Sequence, residues 1–69
     1  MTLNDIKALD RDWLTIDQMA SFLEVDPQAL RTQARLYREE LDYLGAVTIG
    51  RRTKFWRPAV VSHFEQLTR

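Results

Sequence analysis

Two helix starts crowd into residues 15–27, and they constrain everything around them. Thr15-Ile16-Asp17-Gln18 places a threonine three residues before a glutamine, the spacing of a capping box. The threonine hydroxyl accepts from the third-residue amide, and the glutamine side chain reaches back to the cap amide. Asp26-Pro27 is the second start. Aspartate suits an N-cap, and proline at the first helical position loses no needed hydrogen bond. The first helix is thereby confined to about residues 16–24, with Ile16, Met19, Ala20, Phe22 and Leu23 at helical spacing. The second must begin almost at once. In it Leu30, Ala34, Tyr37, Leu41 and Leu44 make one apolar stripe, which predicts a helix to at least residue 38 and as far as 44, stopped by Gly45.

After Gly45 the period changes. Ala46-Val47-Thr48-Ile49 and Thr53-Lys54-Phe55-Trp56 are β-branched and aromatic, with Gly50-Arg51-Arg52 between them, which reads as a β-hairpin. A three-residue loop would set Val47, Ile49 and Phe55 on one face and leave Thr48 and Lys54 outward. Arg57-Pro58 opens a last helix with Val60, Phe64 and Leu67 toward the core. Ahead of all this, Leu3, Ile6 and Leu9 recur at spacing three behind Thr2. Residues 1–12 read as an arm or a short helical turn, and residues 13–69 as one domain. The expected class is α+β, in the order helix, helix, hairpin, helix.

Size and composition exclude several functions. A chain of 69 residues buries only about 60% of its unfolded surface, which leaves little room for an enclosed active site. It has no cysteine, and its one histidine, His63, sits in a predicted helix with no second histidine to work with. The acids show no metal-ligand spacing, and the two glycines are too far apart for a phosphate-cradling loop. The expectation is a chain that is not an enzyme and takes neither cofactor nor metal. No apolar run approaches the ~20 residues of a membrane helix, and residues 1–11 lack a signal-peptide core. A soluble, cytoplasmic protein is expected.

The formal net charge is zero, but it is unevenly spread. Residues 1–30 hold six acids against two bases, and residues 31–69 hold eight bases against four acids. Such a split points toward an acidic partner or nucleic acid. Arg31, Arg35 and Arg38 line another face of the second helix, where Glu39 and Asp42 could pair them as an ordinary solvated face. Two helices joined by a tight turn, with a basic hairpin behind, also fit a helix-turn-helix with a wing. Arginine can contact guanine and glutamine adenine, each with two hydrogen bonds. The candidate base-contacting residues are then Gln28, Arg31, Thr32 and Arg35. Arg38, Arg51, Arg52, Lys54 and Arg57 are candidates for phosphate or minor-groove contacts.

The stretch WLTIDQMASFLEVDPQALRTQARL, followed by TIGRRTKFWRPAVVSHF, resembles the excisionase and MerR-like winged-helix family across residues 13–67. The first stretch is similar to the family's opening helices and the second to its wing and final helix. In length the chain resembles the small excisionases of conjugative transposons and prophages. That resemblance implies a factor that binds and bends double-stranded DNA, in several copies, and helps a tyrosine-recombinase integrase excise a mobile element. It places recognition contacts on Gln28, Arg31, Thr32 and Arg35, and wing contacts on Arg51, Arg52 and Lys54. Small phage transcription regulators share the pattern and stand as an alternative. A protein-interaction module using its basic wing is another. Residues 37–44 are longer than the family's usual turn at this point, and Trp56 stands where a basic or polar residue is commoner. Trp56 either packs on the hairpin or final helix or makes an exposed contact.

Overall fold

The computed structural model describes residues 1–67. Helix α1 (Leu3–Lys7) starts at a capping box of its own. The Thr2 hydroxyl accepts from the Asp5 amide at 3.2 Å, and the Asp5 carboxylate accepts from the Thr2 amide at 2.8 Å. Those hydrogen bonds, first to the Thr2 backbone and then to its hydroxyl, hold the Asp5 carboxyl below its ordinary value of 3.8. The box therefore contributes above that value and is lost as pH falls through the lowered one. Ile6, fully buried, anchors the helix, and Lys7 pairs with Glu65 near the other end of the chain. Residues 1–12 are thus docked on the body of the domain, not a separate arm.

Strand β1 (Trp13–Thr15) was not foreseen from the sequence, because three residues are too few to show a period. It leads directly into α2 (Ile16–Leu23), where the expected Thr15–Gln18 box forms with both hydrogen bonds. Helix α2 ends at Glu24, in the left-handed region at φ 58°. Asp26 then accepts from the Gln28 amide at 3.1 Å and opens α3 (Pro27–Leu36).

The second helix is shorter than its apolar stripe predicts. It stops at Leu36, Tyr37 leaves the helical region, and Arg38–Leu44 form a 3-10 run. Leu30 and Ala34 are buried at the four-residue spacing of an α-helix, while Leu41 and Leu44 are buried three apart. Three residues per turn is the 3-10 period, so the tighter winding keeps both leucines inward. Tyr37, at the change of winding, is exposed.

Strands β2 (Ala46–Ile49) and β3 (Arg52–Trp56) form the hairpin, and β3 is the middle of a three-stranded antiparallel sheet ordered β1-β3-β2. Ile49 pairs with Arg52, so the loop is Gly50-Arg51, two residues rather than three. Gly50 has φ +64°, as the opening residue of a two-residue hairpin loop requires. A loop one residue shorter reverses the faces of β2. Ala46 and Thr48 share the inner face with Thr53 and Phe55, and the Thr48 and Thr53 hydroxyls lie 3.2 Å apart. Val47 and Ile49, expected inside, are exposed on the outer face beside Lys54 and Arg52.

Helix α4 (Arg57–Leu67) continues from β3 without a loop. Val60 is buried, and Phe64 meets Phe22 of α2 edge-on at 4.9 Å. Leu67, assigned to the core face by spacing, is exposed. His63 rests against Tyr43, with ring centres 4.5 Å apart. The core gathers side chains from every helix and strand, Leu14 and Phe55 among those fully buried, and no buried described side chain is polar. No described helix is long and apolar enough to cross a membrane.

Candidate nucleic-acid interface

Gln28, Arg31, Thr32 and Arg35 fall on one side of α3, because steps of three, four and seven residues return to the same face. Leu30 and Ala34 occupy the other side and are buried. Local hydrogen bonds order the first three. Thr32 donates its hydroxyl proton to the Gln28 carbonyl at 3.0 Å. Arg31 donates to Gln28 Oε1 at 3.4 Å and to Asp17 Oδ1 on α2 at 3.0 Å. The Arg31–Asp17 pair is half-exposed or more on both sides, so it adds at most about 1 kcal/mol. Its main effect is to steady the guanidinium and to offset part of its charge. The acids expected to pair this face, Glu39 and Asp42, do not do so. Glu40 instead accepts from Gln33 at 3.3 Å. Arg35 is exposed and, among the described residues, makes no ion pair.

Arg38 is not on α3. It begins the 3-10 run and, with Arg35 and Tyr37, lines a shallow cleft of about 310 Å³ just past the helix end. Arg51 sits in the hairpin loop and Arg52 at its edge, both exposed and without an ion-pair partner among the described residues. Lys54 is half-buried on the outer sheet face. The α3 face and the hairpin tip are carried on one body through α2, which packs on both α3 and β3.

Arg57 moves out of the candidate set. Its Nε donates to the Arg11 carbonyl at 2.8 Å, one terminal nitrogen to the Lys7 carbonyl at 3.3 Å, and the other to Asp12 Oδ1 at 3.2 Å. The Arg57 amide also donates to the Asp12 carbonyl. This guanidinium clasps the α1–β1 connection to the start of α4. Partners more than forty residues away leave no local mark in a sequence, so Arg57 reads there as one more free base.

Two residues at the surface carry more than the sequence alone disclosed. Trp13 and Trp56 are cross-strand neighbours, 39% and 47% exposed on the outer sheet face. The root of Trp56 lies close against Gly45, while much of its indole stays in solvent. The exposed-buried-exposed alternation of Trp13-Leu14-Thr15 appears only in the fold, since Trp-Leu-Thr does not alternate apolar with polar in the sequence. Among the described residues no cluster of His, Asp or Glu is arranged to hold a metal ion. The chain matches no protein-family model, no curated protein and no solved structure.

Proposed function

We propose that this chain is a winged helix-turn-helix DNA-binding protein acting as an architectural factor of the excisionase type. The observation that carries the DNA-binding reading is the pairing of two elements on one small body. One is an exposed polar helix face with an unpaired Arg35, set on a second helix by a tight turn. The other is a hairpin whose loop and edge present Arg51 and Arg52 unpaired. In this reading α3 enters the major groove, where Gln28, Arg31 and Arg35 meet base edges, and the hairpin tip meets the backbone. The excision role rests on the resemblance of residues 13–67 to the excisionases. Bending the duplex costs of order 1–6 kcal/mol, offset by contacts made only to bent DNA, and adjacent copies enlarge a small interface.

A mobility shift against duplex DNA tests the binding. With roughly three phosphate contacts per copy, from Arg38, Arg51 and Arg52, the log–log salt slope should be about −2.7. Affinity should then fall roughly 40-fold between 50 and 200 mM salt. Absence of any shift at low salt would remove the DNA reading. Excision reconstituted with the cognate integrase tests the rest. If it runs equally well without this protein, the directionality role fails and duplex binding is judged separately.

Single substitutions should divide the two contact groups. Arg35→Ala is expected to lose about 1–3 kcal/mol of discrimination at one base position and so relax sequence preference. Arg51→Ala should weaken binding to all sequences alike and make the salt slope about 1 unit shallower. Competition binding across a randomised site measures both. A uniform loss for Arg35→Ala would contradict its place on a base-reading face.

A further inference from the structure

Apart from Arg52, the outer face of the sheet holds side chains that the duplex reading does not use. Trp13 and Trp56 stand opposite each other on β1 and β3, and Val47 and Ile49 continue the exposed apolar surface across β2. Arg52 and Lys54 lie two residues apart on β3, on the same face, and neither makes an ion pair among the described residues. None of the strand residues on this face is acidic. Neither indole stacks on another ring of the described chain. Beside Trp13 an open cleft of about 630 Å³ is lined by Thr15, Gln18 and Lys54. Gln18 spends its carbonyl on the Thr15 amide, which leaves its side-chain N–H groups to donate. Of the acids lining the cleft, Asp12 is already paired with Arg57, while Asp10 makes no ion pair among the described residues and Arg11 also lines the cleft.

We infer that this face binds single-stranded nucleic acid. Unpaired bases stack on Trp13 and Trp56, Arg52 and Lys54 hold the backbone, and Gln18 meets the edge of the base nearest the cleft. Exposed aromatic side chains beside unpaired cations on a sheet are the recurring platform for single strands, because every base has a π face. A duplex cannot use the platform, since its bases are stacked on one another. A face-to-face pair of identical chains would bring two sets of Arg52 and Lys54 together and repel. An acidic peptide would satisfy the cations but leave two open indole faces without planar partners. The site shares only Arg52 with the duplex reading and otherwise lies apart from α3 and the loop residue Arg51, so it goes beyond that reading and can fail without it.

Trp13 and Trp56 are the only tryptophans in the chain, so intrinsic emission reports on this face alone. An unlabelled twelve-residue oligothymidylate should quench that emission saturably at low salt, and a blunt duplex of the same length should quench it far less. Trp13→Leu and Trp56→Leu should each weaken oligothymidylate binding roughly 5- to 150-fold, with the remaining tryptophan as reporter. Lys54→Gln should make the salt slope shallower by about 0.7 and leave the urea midpoint near that of the parent, which separates contact loss from unfolding. Unchanged emission on adding oligothymidylate to the parent protein overturns the proposal, whatever the duplex mobility shift shows. So does binding by both tryptophan variants as tight as that of the parent. Quenching by a peptide of alternating glutamate and valine, with none by the oligonucleotide, overturns it in favour of a protein-docking face.

Discussion

Replacing Gly45 by alanine should cost about 2–5 kcal/mol and lower the thermal midpoint by at least roughly 10 °C. Two independent effects add at this position. Gly45 has φ +68°, where an L side chain costs about 1–2 kcal/mol. A Cβ there would also stand 2.8 Å from the Trp56 Cβ and 3.0 Å from the Ala59 Cβ, with the Trp56 amide nitrogen at 3.3 Å. None of these is the free end of a flexible side chain, so backbone must move, and overpacking of this kind costs about 1–3 kcal/mol. The shift would also disturb the hydrogen bond from the Trp56 amide to the Gly45 carbonyl. A domain of this size has only about 3.5–10 kcal/mol in total. Gly50 provides the control. Its φ is also positive, +64°, but nothing lies within 4 Å of an added Cβ, so Gly50→Ala should cost only the backbone share. Thermal melts followed by circular dichroism compare the two. Equal midpoints would mean that the base of the hairpin does not press on α4 as described.

Phe55→Ala should be as severe, at about 3–5 kcal/mol. Phe55 is fully buried in the middle strand, opposite Leu14 on one side and Ala46 on the other. Removing its ring leaves a cavity that the short strands around it can fill only by giving up their register. Urea unfolding should show a lower midpoint with an unchanged slope. Ile49→Ala is the matched comparison, because Ile49 is 67% exposed and should change stability by no more than about 0.5 kcal/mol. A large effect at Ile49 would restore the three-residue loop, with Val47 and Ile49 on the inner face of β2.

The contrast between these two residues shows what the sequence can disclose. Helix starts were legible because a cap is a contract among neighbours. Thr15 with Gln18 and Asp26 with Pro27 carry their own hydrogen-bonding logic within four residues. The hairpin was legible as a hairpin, yet the side its residues face depended on one residue of loop length. Strand periodicity cannot reveal that count. The apolar stripe through Leu41 and Leu44 was correct as burial and wrong as winding, because a three-residue step fits both an α-helix and a 3-10 run. Strand β1 exists only because β3 lies beside it, and the Arg57 clasp depends on acceptors in residues 7–12. Of the candidate interface, residue types and helix face could be read from spacing. Which arginines remain uncommitted required the tertiary partners Asp17 and Asp12.

The central place of β3 also orders events in time. Its pairing with β2 closes a loop of two residues, whereas its pairing with β1 joins positions 13 and 56 and must wait for both intervening helices. Local pairings form early, and distant ones form after more chain entropy has been lost. Until β1 docks, Phe55 has one cross-strand neighbour instead of two, and the acceptors of Arg57 are not yet assembled. By this reasoning strand β1 is expected to close the sheet last. Its three residues should be unformed in the transition state and fully formed only in the native sheet.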